Sequence, residues 1–595
     1  MFQTFEATTS PDQGPPRLAD LRKQMATNGL DGFLIPRADA HQGEYVAARD
    51  ARLSWLTGFT GSAGFCAALK NVAGVFIDGR YRLQVKDQVD EVFTPVDWPE
   101  VQLADWLKEQ LPQGGIVGFD PWLHTVSAVR QLTKALAGTG IEMKPTSNLV
   151  DAIWPDQPNP PTAMFTTYPL KFAGETHQSK RERLAKELSA PTVITLPDSI
   201  AWLLNIRGTD IERNPVPHAF AILNPDASVD LFVHGDKTQN ITDHIGEDVR
   251  THAQSSFLDH IAGLTGELIL DPKWCPSIIA TTAVQAGLTI HHQDDPCLLP
   301  KACKNEAEII GAKDAHLRDG AAMVRFLAWL DAEAPKGQLT EIDVVKQLEQ
   351  FRRETNQLLD VSFETISGAG ANGAIVHYRV TDETNRPVRL NELLLVDSGG
   401  QYIDGTTDIT RTIIIGTPSD LHRSCFTRVL QGMIAISRAR FPRGVQGQHL
   451  DSLARFPLWT AGLDYDHGTG HGIGSYLCVH EGPQSLSRRS DVELSEGMIL
   501  SNEPGYYRTG EFGIRIENLI VTGTAPAIEG ADDRDMLAFE TITYVPIDRR
   551  LIDVALLSNA ELDWINAYHA STLARIGPLL DEKTREWLEQ ACAPL

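Results

Sequence analysis

LLLVDSGGQYIDGTTDITRT, residues 393–412, sets Asp397 at the end of an apolar strand and Asp408 at the start of the next, with a glycine-containing turn between them. Strand, turn and returning strand make a hairpin, and the return carries the second acid back towards the first. A second stretch, GMILSNEPGYYRTGEFGIRIEN at 497–518, repeats the arrangement with Glu503 and Glu517. One acidic turn is usually a solvated turn. Two hairpins with acids at comparable places predict a shared sheet that gathers four carboxylates at one end.

Four anions in a partly dry cleft repel one another by roughly several kcal/mol unless they are protonated or neutralised. Two divalent cations cancel the four charges and one does not, so the count favours a dinuclear site. Between the hairpins lies HGTGHGIGSYLCVHEGP, residues 467–483, with His467, His471 and His480. Gly468, Gly470, Gly472 and Gly474 exclude a helix here, since each costs about 1 kcal/mol against alanine. In an extended chain His467 and His471 share a face but stand roughly 13 Å apart, too far to hold one ion. One histidine is therefore a ligand and the others stand behind it or face substrate; His471 is taken as the nitrogen donor. Four oxygens and one nitrogen suit Mn²⁺ best, with Zn²⁺ or Co²⁺ as alternatives, and no cysteine competes. Arg515 alternates with Ile514 and Ile516, which places it on the side of Glu517, where it orients a ligand carboxylate.

Working outward, each hairpin follows helical stretches, KNEAEIIGAKDAHLRDGAAMVRFLAWLDAEA and TEIDVVKQLEQF before the first, CFTRVLQGMIAISRARF and HLDSLARFPLW before the second. Thr340 and Asp343 form a capping-box pattern. Residues 301–595 thus read as an α+β domain of two similar halves. GAGANG at 368–373 matches a dinucleotide fingerprint, but AIVHYRV follows it and reads as a strand where that fingerprint needs a helix. Upstream, residues 1–155 alternate helix and strand and end in the linker WPDQPNPP at 154–161, and residues 156–300 replay the same order, predicting two related α/β modules.

The chain of 595 residues is too long for one core. Its 53 basic and 78 acidic residues give a net charge of −25, which argues against nucleic acid or an anionic membrane as partner. No apolar run approaches the roughly 18 residues of a membrane span, and the N-terminus lacks the pattern of a secretory signal. Seven cysteines, scattered and without a C-x-x-C, fit free thiols in a cytoplasmic protein.

VDSGGQYIDGTTDITRT, HGTGHGIG, VHEGP, NEPGYY and GIRIEN together resemble the Xaa-Pro aminopeptidases (aminopeptidase P) of the pita-bread metallopeptidases. RLSWLTGFTGSAG, DGRY, NLVDAIW, AWLLNIRGTDI and ELDWINAYH extend the resemblance over nearly the whole chain, to the long three-domain cytosolic form. The resemblance implies two creatinase-N-like α/β domains followed by a pita-bread catalytic domain, and a homodimer formed through that domain. It implies metal ligands Asp397, Asp408, His471, Glu503 and Glu517, with Asp408 and Glu517 bridging two ions, usually Mn²⁺. His377 and His480 fall where the family places histidines that contact substrate and stabilise the transition state, and His467 at the substrate pocket or behind it. Asn502 replaces an aspartate or similar residue of the family, without touching a ligand position.

The implied reaction removes the first residue of short peptides with proline second, through a hydroxide bridging the ions. Glu503 is the candidate to handle the proton, beside that water and the leaving nitrogen. His377 and His480 would hydrogen-bond the scissile carbonyl, with His467 and Arg515 as further substrate-site residues. A prolidase acting on Xaa-Pro dipeptides is the competing reading, and a metal-free binding protein on the same scaffold is a third.

Overall fold

In the Gly14–Thr27 helix Leu18, Leu21 and Met25 recur at helical spacing, and all three are buried against Phe33 and Ile35 of the first strand. That packing seeds the first module. The computed structural model describes all residues, 1–595, in two compact units: Thr8–Leu298, and Leu299–Leu595 together with Met1–Ala7.

The first unit contains two sheets. Strands β1 (Gly32–Pro36), β2 (Phe65–Leu69), β3 (Ala73–Ile77), β4 (Thr94–Asp97), β5 (Gly115–Phe119) and β6 (Ile141–Pro145) lie in the order β4-β3-β2-β1-β5-β6. After them come β7 (Thr166–Thr167), β8 (Thr192–Ile194), β9 (Ile206–Arg207), β10 (Ala219–Leu223), β11 (Val229–Val233), β12 (Val249–Ala253), β13 (Glu267–Leu270) and β14 (Thr289–His292). β7 and β9 form a short ribbon, and the rest form the sheet β12-β11-β10-β8-β13-β14. Both six-stranded sheets run parallel, antiparallel, antiparallel, parallel, parallel along these orders. The replay read from the sequence is thus a duplicated α/β fold. Equivalent backbone groups bind reciprocally where the copies meet: Val126 N–H donates to Cys275 O and Ser277 N–H to His124 O, as Ser127 N–H donates to Pro272 O and Ile278 N–H to Pro121 O. Such self-complementarity is what a pseudo-twofold requires.

The second unit is α+β. The Glu306–Glu333 helix starts at a capping box of Asn305 and Glu308, and the Glu341–Arg353 helix at the expected box of Thr340 and Asp343. Next come β15 (Asp360–Val361), β16 (Ile366–Ala369), β17 (Glu392–Ser398), β18 (Gly400–Tyr402), β19 (Gly405–Thr406) and β20 (Ile409–Ile415). The helices Asp420–Ser437 and Gly447–Trp459 open the second half, with β21 (Arg440–Pro442) between them. It continues through β22 (Gly470–Gly472), β23 (Glu481–Leu486), β24 (Ile499–Asn502), β25 (Gly505–Arg508), β26 (Phe512–Arg515), β27 (Asn518–Thr524) and β28 (Met536–Thr541). The sheets are β16-β17-β20, β15-β18-β19, β21-β28-β27-β24-β22-β23 and the ribbon β25-β26.

Three features differ from expectation. The two acidic hairpins do not share a sheet: β17 and β20 belong to β16-β17-β20, and β24 and β27 to β21-β28-β27-β24-β22-β23. AIVHYRV is not a strand: Gly370–Ala374 is a 3-10 turn and the chain to Val380 is irregular. Its β-branched residues meet no strand edge, and side chains fix it instead, with Asn372 Nδ2 and Tyr378 OH both donating to the Glu341 carboxylate. No α-helix follows the glycines, so the dinucleotide fingerprint remains excluded. Met1–Ala7, grouped by sequence with the first module, packs within the second unit.

Candidate metal centre

Both acidic hairpins have the same construction. β17 and β20 pair up to Asp397 opposite Thr410 and Ser398 opposite Ile409, and pairing resumes beyond the acids between β18 and β19. In the second hairpin β24 and β27 pair up to Asn502 opposite Asn518, and β25 and β26 resume it with Gly505 opposite Arg515. Each acid pair therefore stands where two ladders meet, and the hairpin itself sets its separation.

The structure brings Asp408, His471 and Glu517 together, their ligand atoms all within 4.8 Å of one another. His471 Nδ1 lies 2.9 Å from Gly472 O, and because a carbonyl only accepts, Nδ1 carries the proton and Nε2 the lone pair. That Nε2 is 3.5 Å from Asp408 Oδ2 and 3.3 Å from Glu503 Oε1. Asp397 joins through Arg515, whose Nη2 donates to Asp397 Oδ2 at 2.6 Å. Asp397, Asp408 and Glu517 are buried, Glu503 and His471 half-buried.

Burial raises the carboxyl pKa values of Asp408 and Glu517 well above the usual range, and neighbouring carboxylates raise them further. Burial lifts Glu503 to about 7, with Arg515 opposing the rise and Asp397 adding to it. Fully ionised, four carboxylates against one guanidinium leave three uncompensated charges, more than one dication neutralises and one fewer than two supply. Asp397 Oδ1 and Glu517 Oε1 are buried without any hydrogen-bond donor. Orphaned acceptors, a proton-free Nε2 and a negative excess fit a pair of divalent cations, and oxygen-rich donors suit hard or borderline ions.

Of the remaining expected residues, His480 and Arg515 adjoin this cluster. The His480 ring meets His471 edge to face, centroids 4.3 Å apart. His377 follows Val376, whose carbonyl accepts from Arg515 Nη1 at 3.4 Å. His467 stands outside the acid group: its Nδ1 donates to Gly468 O at 2.7 Å, and its Nε2 accepts from Tyr507 OH at 2.9 Å. Arg515, 1% exposed, also donates through Nη1 to Tyr507 OH at 2.6 Å and through Nε to Thr410 Oγ1 at 3.1 Å. Four of its five N–H groups are thus committed, and it reaches a ligand through Asp397. Asn502 turns away from the acids, its Nδ2 donating to Met433 O at 2.8 Å and Ser437 Oγ at 3.0 Å.

Sequence reading missed the groups that hold the acids. Thr410 Oγ1 donates to Glu517 Oε2 at 2.8 Å, and Ser501 Oγ donates to Glu503 Oε1 at 3.0 Å while accepting from His471 N–H at 2.9 Å. Arg411, on the opposite face from Thr410, donates to Glu517 O at 2.6 Å. Alternation was the available signal, since Ser501 lies two residues before Glu503 and Thr410 two after Asp408.

The pattern of metallopeptidase family M24 matches residues 311–523, and that of the C-terminal region of peptidase M24 matches 535–595. Two creatinase/prolidase N-terminal domain patterns match 17–153 and 156–308. The chain is 40% identical to "Aminopeptidase P2" of Arabidopsis thaliana, over 97% of this chain and 88% of that protein. It is also 40% identical to "Probable Xaa-Pro aminopeptidase P" of Aspergillus fumigatus, over 97% of this chain and 92% of the other. The chain belongs to the aminopeptidase P group of metallopeptidase family M24. Among solved structures, the X-prolyl aminopeptidase of Caenorhabditis elegans, described as a cytosolic enzyme with a di-nuclear active site, superposes with a TM-score of 0.92 at 33% identity, covering 98% of this chain and 99% of that one. For this M24 chain the creatinase-like pair followed by a pita-bread domain is therefore the observed architecture.

Proposed function

We propose that this protein is a dinuclear metallo-aminopeptidase that removes the first residue from peptides with proline at the second position. The three-charge excess that Asp397, Asp408, Glu503 and Glu517 carry over Arg515 when ionised, with His471 Nε2 3.3 Å from Glu503 Oε1 and 3.5 Å from Asp408 Oδ2, carries this reading. These five residues would hold two divalent ions, and the oxygen-rich set favours Mn²⁺. Bound there, the ions would supply Lewis-acid polarisation and a water of lowered pKa near neutrality.

The protein's own groups divide the rest. Glu503, half-buried beside His471, would take a proton at its carboxylate and return it to the leaving nitrogen. His480 and His377 would donate to the scissile carbonyl oxygen as negative charge develops there. Tyr507 holds His467 at the edge of the cluster, where a substrate contact would be apolar ring against ring. Proline has no N–H in peptide linkage, so selection at the second position would depend on shape.

Residues 1–155, 156–300 and 301–595 are taken as the three domains, with Met1–Ala7 packing in the unit of the third. Seven free cysteines, six of them buried, support a reducing compartment, and we assign the protein to the cytoplasm; a shift in mobility after thiol alkylation of denatured cell extract tests it. No helix is long and apolar enough to cross a membrane. On the Gly447–Trp459 helix Leu453, Phe456 and Trp459 are 41%, 63% and 43% exposed, an apolar flank that suits the proposed homodimer. Phe456→Glu is expected to convert the dimer to monomer in sedimentation, and an unchanged sedimentation coefficient would place the contact elsewhere.

Cleavage of Arg-Pro-Pro before chelation, after it, and after Mn²⁺ return tests the main reading. Activity is expected to vanish and reappear, with the dipeptide Gly-Pro a poor substrate; preference for Gly-Pro would mean a prolidase. Asp408→Ala and His471→Ala are each expected to fold yet lose at least about a hundredfold in kcat with reduced metal content. Full Mn²⁺-dependent turnover by either would remove it from the ligand set.

A further inference from the structure

Glu481, directly after His480, is fully buried yet takes no part in the acid cluster. Its carboxylate lies between two ammonium groups, Lys301 Nζ at 3.1 Å and Lys304 Nζ in a closer ion pair, and the three side chains are 0%, 0% and 1% exposed for Lys301, Glu481 and Lys304. Lys304 Nζ also donates to Lys301 O at 2.5 Å. Burying charged groups in this way is not needed for stability, since apolar groups of similar volume would serve as well or better. The best-attested use of such a group is to fix register.

Register is weakly constrained by the backbone here. Gly470 pairs with Leu486 and His471 with Ser485, but Gly472 then pairs with Glu481, so the ladder between β22 and β23 breaks between His471 and Gly472. Beyond the break only the Gly472–Glu481 pair adjoins His480, so the ladder constrains its position by a single pair. Successive side chains of an extended chain face opposite ways: His480 meets His471 while Glu481 meets the lysines. A slip of one residue would turn the Glu481 carboxylate towards the acids and bury the imidazole beside two ammoniums. The lysine segment is itself anchored, with Lys304 N–H donating to Gly497 O at 3.0 Å and Cys303 bridged to Met498, at the approach to β24 and Glu503.

We propose that Lys301, Lys304 and Glu481 form a register lock that sets His480 against His471, making Glu481 a positioning residue for the reaction. This rests on the assignment of His480 to the substrate carbonyl. A double-mutant cycle on the full-length Mn²⁺-loaded protein tests it, with kcat, KM and metal content measured for Glu481→Gln, His480→Ala and the pair. Glu481→Gln is expected to lower kcat about ten- to a hundredfold at unchanged metal content, the scale of a small misplacement of a reacting group. In the His480→Ala background it is expected to add nothing. Losses that multiply in the double variant, or a Glu481→Gln protein with full kcat, overturn the lock while leaving the proposed function intact. A His480→Ala protein with full kcat overturns the His480 assignment itself, and the lock with it. Should Glu481→Gln not fold, Lys304→Gln, which keeps the Lys301–Glu481 pair, enters the same cycle under the same two criteria.

Discussion

His569 is fully buried, and its Nε2 accepts the Ile547 N–H at 3.1 Å, so that nitrogen must carry a lone pair. Burial first, then the Arg411 and Arg549 guanidiniums, lower the ring's pKa to about 4. An unfolded histidine titrates near about 6.5, so between these values the unfolded chain binds a proton that the folded one refuses. Stability from this residue is therefore complete above roughly pH 6.5 and declines as pH falls towards 4, by at most about 3 kcal/mol. Urea unfolding of the second unit is expected to show that decline, and His569→Gln, which can still accept from Ile547, to reduce its slope; an unchanged slope would assign the pH dependence elsewhere. Nothing in ELDWINAYH distinguishes this histidine from a metal ligand, because the difference lies in which carbonyl or amide the fold presents to it. Asp397, Asp408, Glu503 and Glu517 were legible because acids at the ends of apolar strands are costly and need a reason. Thr410, Ser501 and Tyr507 were not, since hydroxyls are ordinary in strands.

The glycines of HGTGHGIG acquire their reason from the β22 ladder. A Cβ on Gly470 would stand 1.9 Å from Ser501 O, and one on Gly472 would stand 2.4 Å from both Glu481 O and Gln484 Nε2. Neighbouring strands close over the glycine side, and His471 takes the other. Gly470→Ala must therefore push β22 away from β24, the strand that leads to Glu503. The expected outcome is a loss of roughly 2 kcal/mol or more, as for overpacked cores, together with weakened Mn²⁺ binding measured by calorimetry. Wild-type affinity in a stable Gly470→Ala protein would show that strand spacing does not set the site. From sequence the alternation excluded a helix but could not name the faces that press on it. AIVHYRV shows the reverse limit, where strand propensity was real and the fold offered no edge to pair with.

Across the whole chain, the paired acids and the replayed modules identified the architecture, whereas the destination of the first seven residues had no local signal. Contacts between residues some hundreds of positions apart leave no periodicity. Gln3, 3% exposed, accepts the Thr365 N–H through Oε1 at 2.8 Å and donates through Nε2 to Thr365 O at 3.3 Å. Phe5 O accepts the Asp382 N–H at 2.8 Å, while Thr4 O and Glu6 O accept from Arg379 at 3.0 and 3.1 Å. The bonds to Arg379 and Asp382 grip the irregular segment that contains His377, and those to Thr365 hold the chain just before β16. Each contributes about 1 kcal/mol, and none involves Asp397, Asp408, His471, Glu503 or Glu517. Deletion of Met1–Ala7 is therefore expected to lower the unfolding temperature of the second unit and to reduce kcat/KM, with metal content near that of the intact chain. The segment would then act on catalysis through the mobility of His377, and faster hydrogen exchange confined to residues 365–382 would accompany the loss. Unchanged kinetics in the truncated protein would mean that His377 is held without help from the first seven residues.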